Sequence, residues 1–221
     1  MYGVMIKENL LKILNEIKDG NCFNEKVTLV GATKFVDVNR INEAILAGLK
    51  DIGENKAQEF RDKFDNVLPV NYHFFGRLQK NKVKYLIGKA FLIHSVDSIE
   101  LLEEISKQSQ NKSLVTNVLI ELNLGEEQKG GISTDTLSEV LKTAKTLNGV
   151  CVKGLMAVLP DTEGQVELKT LFKKVRALYD EYKVEYAFEY LSLGMSNDYK
   201  LAIECGSNMI RVGTKIFGAR Y

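Results

Sequence analysis

Short apolar runs alternate with amphipathic helical stretches along the whole of this 221-residue chain, and few folds accommodate that rhythm. An amphipathic helix opens it over residues 4 to 19, where Val4, Ile6, Leu10, Leu11, Ile13, Leu14 and Ile17 recur at helical spacing and Asp19-Gly20-Asn21 supplies a stop. The runs read as strands cover residues 27–34, 51–55, 72–77, 90–97, 118–123, 152–158, 190–195 and 209–217. The stretches between them, at 38–49, 56–64, 81–87, 98–110, 135–147, 165–182 and 199–205, have helical spacing. Val27-Thr-Leu-Val-Gly-Ala-Thr-Lys34 is nearly continuous in its apolar character, the mark of a parallel strand covered on both faces. About eight strands alternating with helices in one chain of this length predict an α/β fold, a single-domain (β/α)8 barrel of TIM type with an extra N-terminal helix. An open doubly wound sheet is the alternative. With only two prolines, Pro69 and Pro160, and no low-complexity tract, nothing marks a domain boundary within 1–221; the helix takes 1–20 and the barrel 27–218.

Composition removes several function classes. Thirty Lys and Arg against 29 Asp and Glu leave a net charge of +1, so no broad field favours nucleic acid or an anionic membrane. Any phosphate ligand must be held locally. Cys22, Cys151 and Cys205 lie far apart, which fits a reducing compartment, excludes a thiolate metal site by count and reads as three buried or half-buried thiols. Lys7, Glu8, Lys12 and Glu16 interrupt the N-terminal apolar residues and no run reaches membrane-spanning length, so the expectation is a soluble, cytoplasmic protein.

Barrel enzymes and binders carry their sites at the carboxyl ends of the strands, with phosphate commonly held after strands seven and eight. Those two positions here are Leu191-Ser-Leu-Gly-Met-Ser-Asn-Asp198 and Met209-Ile-Arg-Val-Gly-Thr-Lys-Ile-Phe-Gly218. Gly194, Ser196, Gly213 and Thr214 leave backbone N–H groups and two hydroxyls uncovered, and a helix opening after Asn197-Asp198 would turn its positive end the same way. The remaining strand ends bring Lys34, Glu54-Asn55, Gly76-Arg77, Ser95 to Asp97, Asn123 and Met156 to the same mouth. A lysine ending a buried strand is partly desolvated, which lowers its pKa and favours attack on an aldehyde; otherwise it snorkels to solvent or pairs with Glu54. Arg211 could clamp a phosphate, form a structural ion pair, or face the ring nitrogen of a pyridine cofactor. One ligand, pyridoxal phosphate, accounts for lysine, cradle and arginine together.

His73 and His94 each lie in an apolar strand and read as hydrogen-bonded core residues rather than acid-base catalysts. The loop Gly125 to Gly131, with two adjacent glutamates that do not face one point, reads as a mobile, solvated loop, and no metal is assigned.

Ala32-Thr-Lys34, Gly53-Glu-Asn-Lys-Ala-Gln-Glu59, His73-Phe-Phe-Gly-Arg-Leu-Gln79, Ser95-Val-Asp97, Gly154-Leu-Met156 and the two phosphate stretches, the second from Gly206 to Gly218, closely resemble the pyridoxal phosphate homeostasis protein family, over nearly the whole chain. The resemblance implies a barrel like the N-terminal domain of alanine racemase. It implies pyridoxal 5'-phosphate held on Lys34 as a Schiff base, phosphate contacts from Ser196, Gly213 and Thr214, and Arg211 beside the pyridine nitrogen. Asn55 and Met156 match positions that line the ring pocket. Two departures stand out: Gly31-Ala32-Thr33 in place of Ala-Val-Ser, and Phe75 in place of isoleucine, neither expected to touch a site role.

The function implied is non-catalytic: a protein that binds the cofactor for its supply or storage, with cofactor-dependent apo-enzymes as the recipients to test. A racemase-type enzyme and a Schiff-base aldolase are the rivals. Racemisation needs a second proton donor on the far face of the cofactor, and after Gly218 only Ala-Arg-Tyr remain to supply one. A cationic Arg211 at the ring nitrogen would also weaken the ring as an electron sink. A monomer is the simplest expectation for a barrel without an evident apolar patch.

Overall fold

The structure, a computed structural model, describes residues 2–124, 130–159 and 164–218. Its nine strands are β1 (Thr28–Ala32), β2 (Asp51–Glu54), β3 (Asn71–Phe74), β4 (Leu92–Val96), β5 (Thr116–Asn123), β6 (Ile132–Ser133), β7 (Val150–Ala157), β8 (Tyr190–Ser192) and β9 (Met209–Val212). All pair in parallel. Eight form a closed ring, β1 to β5 followed by β7, β8 and β9, with β9 returning to β1. The alternation in the sequence therefore closes as an α/β barrel, and the open sheet is excluded. The two residues of β6 lie outside the ring, pairing in parallel alongside the end of β5, Leu122 with Ile132.

The helices are α1 (Tyr2–Ile17), α2 (Val38–Leu46), α3 (Ala57–Phe64), α4 (Ile99–Gln110), α5 (Leu137–Thr146), α6 (Gln165–Tyr186), α7 (Tyr199–Glu204) and α8 (Thr214–Phe217). Their starts are specified locally: Asp37 Oδ1 accepts from Arg40 N at 3.1 Å at the head of α2, and Ser98 Oγ from Leu101 N at 3.3 Å at the head of α4. In α1 the residues Ile6, Leu10, Ile13 and Ile17 are buried, one stripe of a 3.6-residue period. The helix is anchored by Asn9 Nδ2 donating to the Ile216 carbonyl at 3.3 Å, and by Glu16, which accepts from Tyr199 Oη at 2.5 Å and pairs with Lys200. No helix among the described residues is long and apolar enough to cross a membrane.

Three sequence expectations are corrected. The last apolar run does not extend as strand to Phe217: β9 stops at Val212, and Thr214–Phe217 turns into α8 because Ile216 N and Phe217 N both bond back to the Gly213 carbonyl. The stretch at 81–87 is a 3-10 helix, over Lys80–Tyr85. Of the cysteines, Cys205 is buried and Cys151 half-buried, as expected, but Cys22 is exposed.

Strand parity sorts the side chains into two layers. Leu29, Ile52, Phe74, Ile93, Leu155, Leu191 and Ile210 face the helices in one large cluster, while Val30, Leu92, Leu119, Met156 and Met209 form a smaller one inside the barrel. The inward positions that are not apolar include Asp51, His73, His94, Glu121, Ser192 and Arg211. A barrel this size fills its interior with side chains, so each of these polar groups needs partners within it.

Candidate functional site

Lys34 lies in a turn just after β1 rather than in the strand itself, and is half-buried. Parity carries into that turn: Thr33 points outward, where its Oγ1 donates to Glu54 Oε1 at 2.8 Å. Lys63 on α3 donates to the Thr33 carbonyl at 2.9 Å, to Glu54 Oε1 at 2.7 Å and to Glu59 Oε2 at 3.2 Å. The same Glu59 Oε2 accepts from Phe35 N at 3.1 Å. Both neighbours of Lys34 are thus clamped to α3. Phe35 takes a left-handed conformation, φ +62°, and is 64% exposed, a strained arrangement for a bulky residue that the clamp sustains.

Glu54 was expected at the mouth with Asn55. It is instead fully buried on the outer face of β2, beneath α3, because it has the parity of Ile52. Burial raises its pKa, opposed by the Lys63 ammonium and the Thr33 hydroxyl. Asn55, one residue on, is half-buried, and its Oδ1 is a buried acceptor without a partner. That orphan is unusual for a folded chain and fits a ligand donor.

The two stretches read from the sequence as a phosphate cradle meet across β8 and β9. Ser196 Oγ accepts from Gly213 N at 3.3 Å, Arg211 N donates to the Gly194 carbonyl at 3.0 Å, and Met195 N is held by Asp198 Oδ1 at 2.6 Å. Gly194 requires its glycine twice over: φ is +92°, and a Cβ there would stand 2.7 Å from the Ala202 Cβ. A Cβ on Gly213 would stand 3.2 Å from the Ala32 carbonyl oxygen, so the cradle abuts the end of β1 two residues before Lys34. Thr214 is exposed at the first position of α8. The structure thus gathers Ser196, Gly213 and Thr214 beside the Lys34 turn. Two further lysines are engaged elsewhere, Lys82 over the Tyr85 ring and Lys215 over the Tyr199 ring.

Arg211 is 5% exposed. Its Nη1 donates to the Ser192 carbonyl at 2.8 Å and to Ser192 Oγ at 2.6 Å, and its Nη2 to the Ala157 carbonyl at 3.1 Å. Burial pushes its pKa down to about 10, with Glu121 and Asp198 acting in the opposite sense, so it stays a cation at neutral pH. Met156 is fully buried in the inner cluster. Phe75 packs on that same cluster, and its ring lies over Gly53, where a Cβ would come within 2.2 Å of it. The Phe75 ring thus reaches the barrel interior, where only the glycine opposite leaves room for it.

Glu121 escaped the sequence reading. It shares the inward parity of Leu119, and burial together with Asp97 raises its pKa to about 7, Arg211 pulling the other way. The signal was available: a lone carboxylate at an inward position of Val118-Leu-Ile-Glu-Leu-Asn123. His73 and His94 are fully buried and hydrogen-bonded to each other at 2.8 Å, as core residues would be. Residues 125–129 of the glutamate-bearing loop lie outside the described residues. Among the described residues no group of three or more His, Cys, Asp or Glu could hold a metal ion.

Residues 8–221 match the family described as alanine racemase, N-terminal domain. The pyridoxal phosphate homeostasis protein of Aquifex aeolicus is 45% identical over 197 residues, covering 87% of this chain and 86% of that protein. That of Haemophilus influenzae is 31% identical over 217 residues, covering 95% and 92%. Among solved structures, PipY of Synechococcus elongatus with PLP bound superposes with a TM-score of 0.86 at 28% identity, covering 96% of this chain and all of that one.

Proposed function

The chain belongs to the pyridoxal phosphate homeostasis proteins, on the alanine racemase N-terminal domain fold, and from that premise we propose that it holds pyridoxal 5'-phosphate at the carboxyl-terminal mouth of its barrel. In this reading the cofactor forms a Schiff base with Lys34. The observation that carries it is the convergence of three elements: the clamped turn at Lys34, the Ser196–Gly213 cradle abutting β1, and a buried arginine behind them. The cofactor supplies an aldehyde that condenses with a primary amine, and a ring that draws electrons when its nitrogen is protonated.

The chain's own groups bind and orient. Thr214 offers a backbone donor and Ser196 and Thr214 offer hydroxyls to a phosphate, while Gly213, whose N–H Ser196 Oγ accepts, leaves the backbone there uncovered by a side chain. Asn55 supplies its orphaned oxygen, and Met156 and Phe75 an apolar floor. Arg211 has donors and no acceptor, and a guanidinium does not give up its proton at neutral pH, so a ring nitrogen facing it stays unprotonated. That arrangement supports holding rather than turnover. The protein as proposed is a single-domain cytoplasmic monomer that stores the cofactor or passes it to apo-enzymes. The test is the visible spectrum of freshly purified protein before and after borohydride, with peptide mapping of the reduced lysine. Protein loaded with the cofactor and incubated with L-alanine separates holder from enzyme: racemised or transaminated product overturns the non-catalytic reading.

A further inference from the structure

The barrel interior carries a line of polar groups that cofactor binding alone does not explain. Asp51 Oδ1 lies 3.1 Å from His73 Nε2, His73 Nδ1 lies 2.8 Å from His94 Nε2, and His94 Nδ1 lies 3.1 Å from Ser192 Oγ, which accepts from Arg211 Nη1 at 2.6 Å. The line crosses from β2 through β3, β4 and β8 to β9. Its inner members are fully buried. Its outer end is not: the Asp51 side chain is 13% exposed and borders a cavity of about 250 Å³ at the amino-terminal ends of β1 and β2, beside Thr28 and Lys50.

Donor and acceptor rules give the line a direction. Arg211 can only donate, so Ser192 Oγ accepts from it; Asp51 can only accept, which with neutral rings leaves the Ser192 hydrogen for His94 Nδ1. His94 Nδ1 is then the bare nitrogen, and Nε2–H donates to His73 Nδ1. His73 in turn carries its proton on Nε2 and donates to Asp51 Oδ1, which also accepts from Asn71 Nδ2 at 2.9 Å. Every bond along the line is satisfied with both histidines neutral, a cation at one end and a carboxylate at the other. A second proton on His73 would set its Nδ1–H against His94 Nε2–H, and one on His94 would set Nδ1–H against the hydrogen that Ser192 turns towards it. Burial lowers the pKa of His73, with Asp51 partly restoring it, and lowers that of His94 well below the usual value, with His73 and Arg211 adding to the effect.

We propose that Asp51 is a positioning residue for Arg211: a one-way hydrogen-bond relay through His73, His94 and Ser192 fixes the guanidinium at the cofactor mouth from the opposite end of the barrel. The relay makes the amino-terminal cavity a second place from which the grip on the cofactor is set. This part rests on the proposed cofactor site; the direction of the relay does not.

The chain has only two histidines, both in the relay, so ring nitrogen-15 NMR of the ligand-free full chain reads it without ambiguity. Both rings are expected neutral at pH 7 with the proton on Nε2. In Asp51→Leu the Nδ1–H form becomes populated and affinity for pyridoxal phosphate falls roughly five- to fifty-fold, the scale of one charge-assisted bond shared with others. Asp51→Asn, whose carbonyl still accepts, restores both. Ser192→Ala lowers the affinity by a similar factor and serves alone if Asp51→Leu fails to fold. A cationic ring or an Nδ1–H tautomer in the wild type overturns the relay. Unchanged affinity in Ser192→Ala and Asp51→Leu overturns the positioning role. A wild type that binds no pyridoxal phosphate overturns the cofactor site instead, and leaves the tautomers to decide the relay's direction.

Discussion

Lys63 Nζ stands 2.9 Å from the carbonyl oxygen of Thr33, so a lysine on one helix holds the residue immediately before another lysine, the proposed cofactor carrier Lys34. The same amine neutralises Glu54, whose side chain is fully buried. Removing it leaves a carboxylate without its cation in the protein interior. Lys63→Met should cost about 3–5 kcal/mol, the scale for breaking a buried pair. Glu54→Gln should be milder, because the amide keeps an acceptor for Thr33 and carries no charge. Thermal unfolding compares the two; equal losses would mean that Lys63 acts by packing alone.

Lys34→Ala should abolish both the visible absorbance and the borohydride-trapped adduct while leaving the melting temperature within a few degrees. The residue sits in a half-buried turn whose neighbours are held by Glu59 and Lys63, so the turn keeps these anchors when the amine is removed. An adduct surviving in the mutant would move the linkage to another lysine.

Ser196→Ala with Thr214→Val should weaken cofactor retention ten- to a thousand-fold, on the basis of about 1.5–3 kcal/mol for a hydrogen bond to a charged group. Ser196 has a second role: its Oγ fixes Gly213 N. Ser196→Ala alone should therefore exceed Thr214→Val alone. Equilibrium titration of each mutant against wild type checks the order, and an unchanged dissociation constant in the double mutant would relocate the phosphate.

How far the chain disclosed its site depends on parity. The barrel was legible because eight apolar runs at regular spacing admit few closures, and Lys34, Ser196, Arg211, Gly213 and Thr214, the residues proposed to hold the cofactor, stand out because they punctuate those runs. Glu54 misled because adjacent residues of a strand face opposite sides, and Asn55 looks inward where Glu54 looks out. Glu121 was visible as a lone carboxylate at an inward position, but its raised pKa and the partnership of Ser192 with Arg211 depend on groups distant in sequence, Asp97 and Arg211 for the first and β8 beside β9 for the second, which no local pattern encodes.

Glu25 gives the fold an acid limit. Burial pushes its pKa up, but hydrogen bonds from Arg176 at 2.7 Å, Lys183 at 2.5 Å and Asn21 at 2.9 Å outweigh that and bring it down to about 2. A carboxyl with a depressed folded-state pKa stabilises above its unfolded value and loses that contribution as pH falls towards the folded one. Stability should therefore drop between about pH 4.5 and 2, by on the order of 3 kcal/mol from this group. In Glu25→Gln the loss should be absent from that window, as read by denaturant unfolding at stepped pH.

Glu121 carries the opposite sign. Its folded-state pKa is raised to about 7, first by burial and then by Asp97, with Arg211 opposing. The native barrel binds this proton more tightly than the unfolded chain does, so the contribution is fully present below about pH 4.5 and is lost as pH rises through 7. Glu121→Gln keeps the shape and removes the charge. It should match wild type near pH 4.5 and be more stable by about 1–3 kcal/mol at pH 8, the free-energy equivalent of a shift of this order. Because Glu121 also counters the charge of Arg211, the mutant should lower the pKa of the guanidinium further, yet leave it a cation at neutral pH. Cofactor retention in Glu121→Gln should therefore lose the part of its pH dependence between 6 and 8 that Glu121 adds to that of the ligand itself. Titration of both proteins across that range decides it: the same pH dependence in mutant and wild type would mean that Glu121 does not titrate within the cofactor's reach.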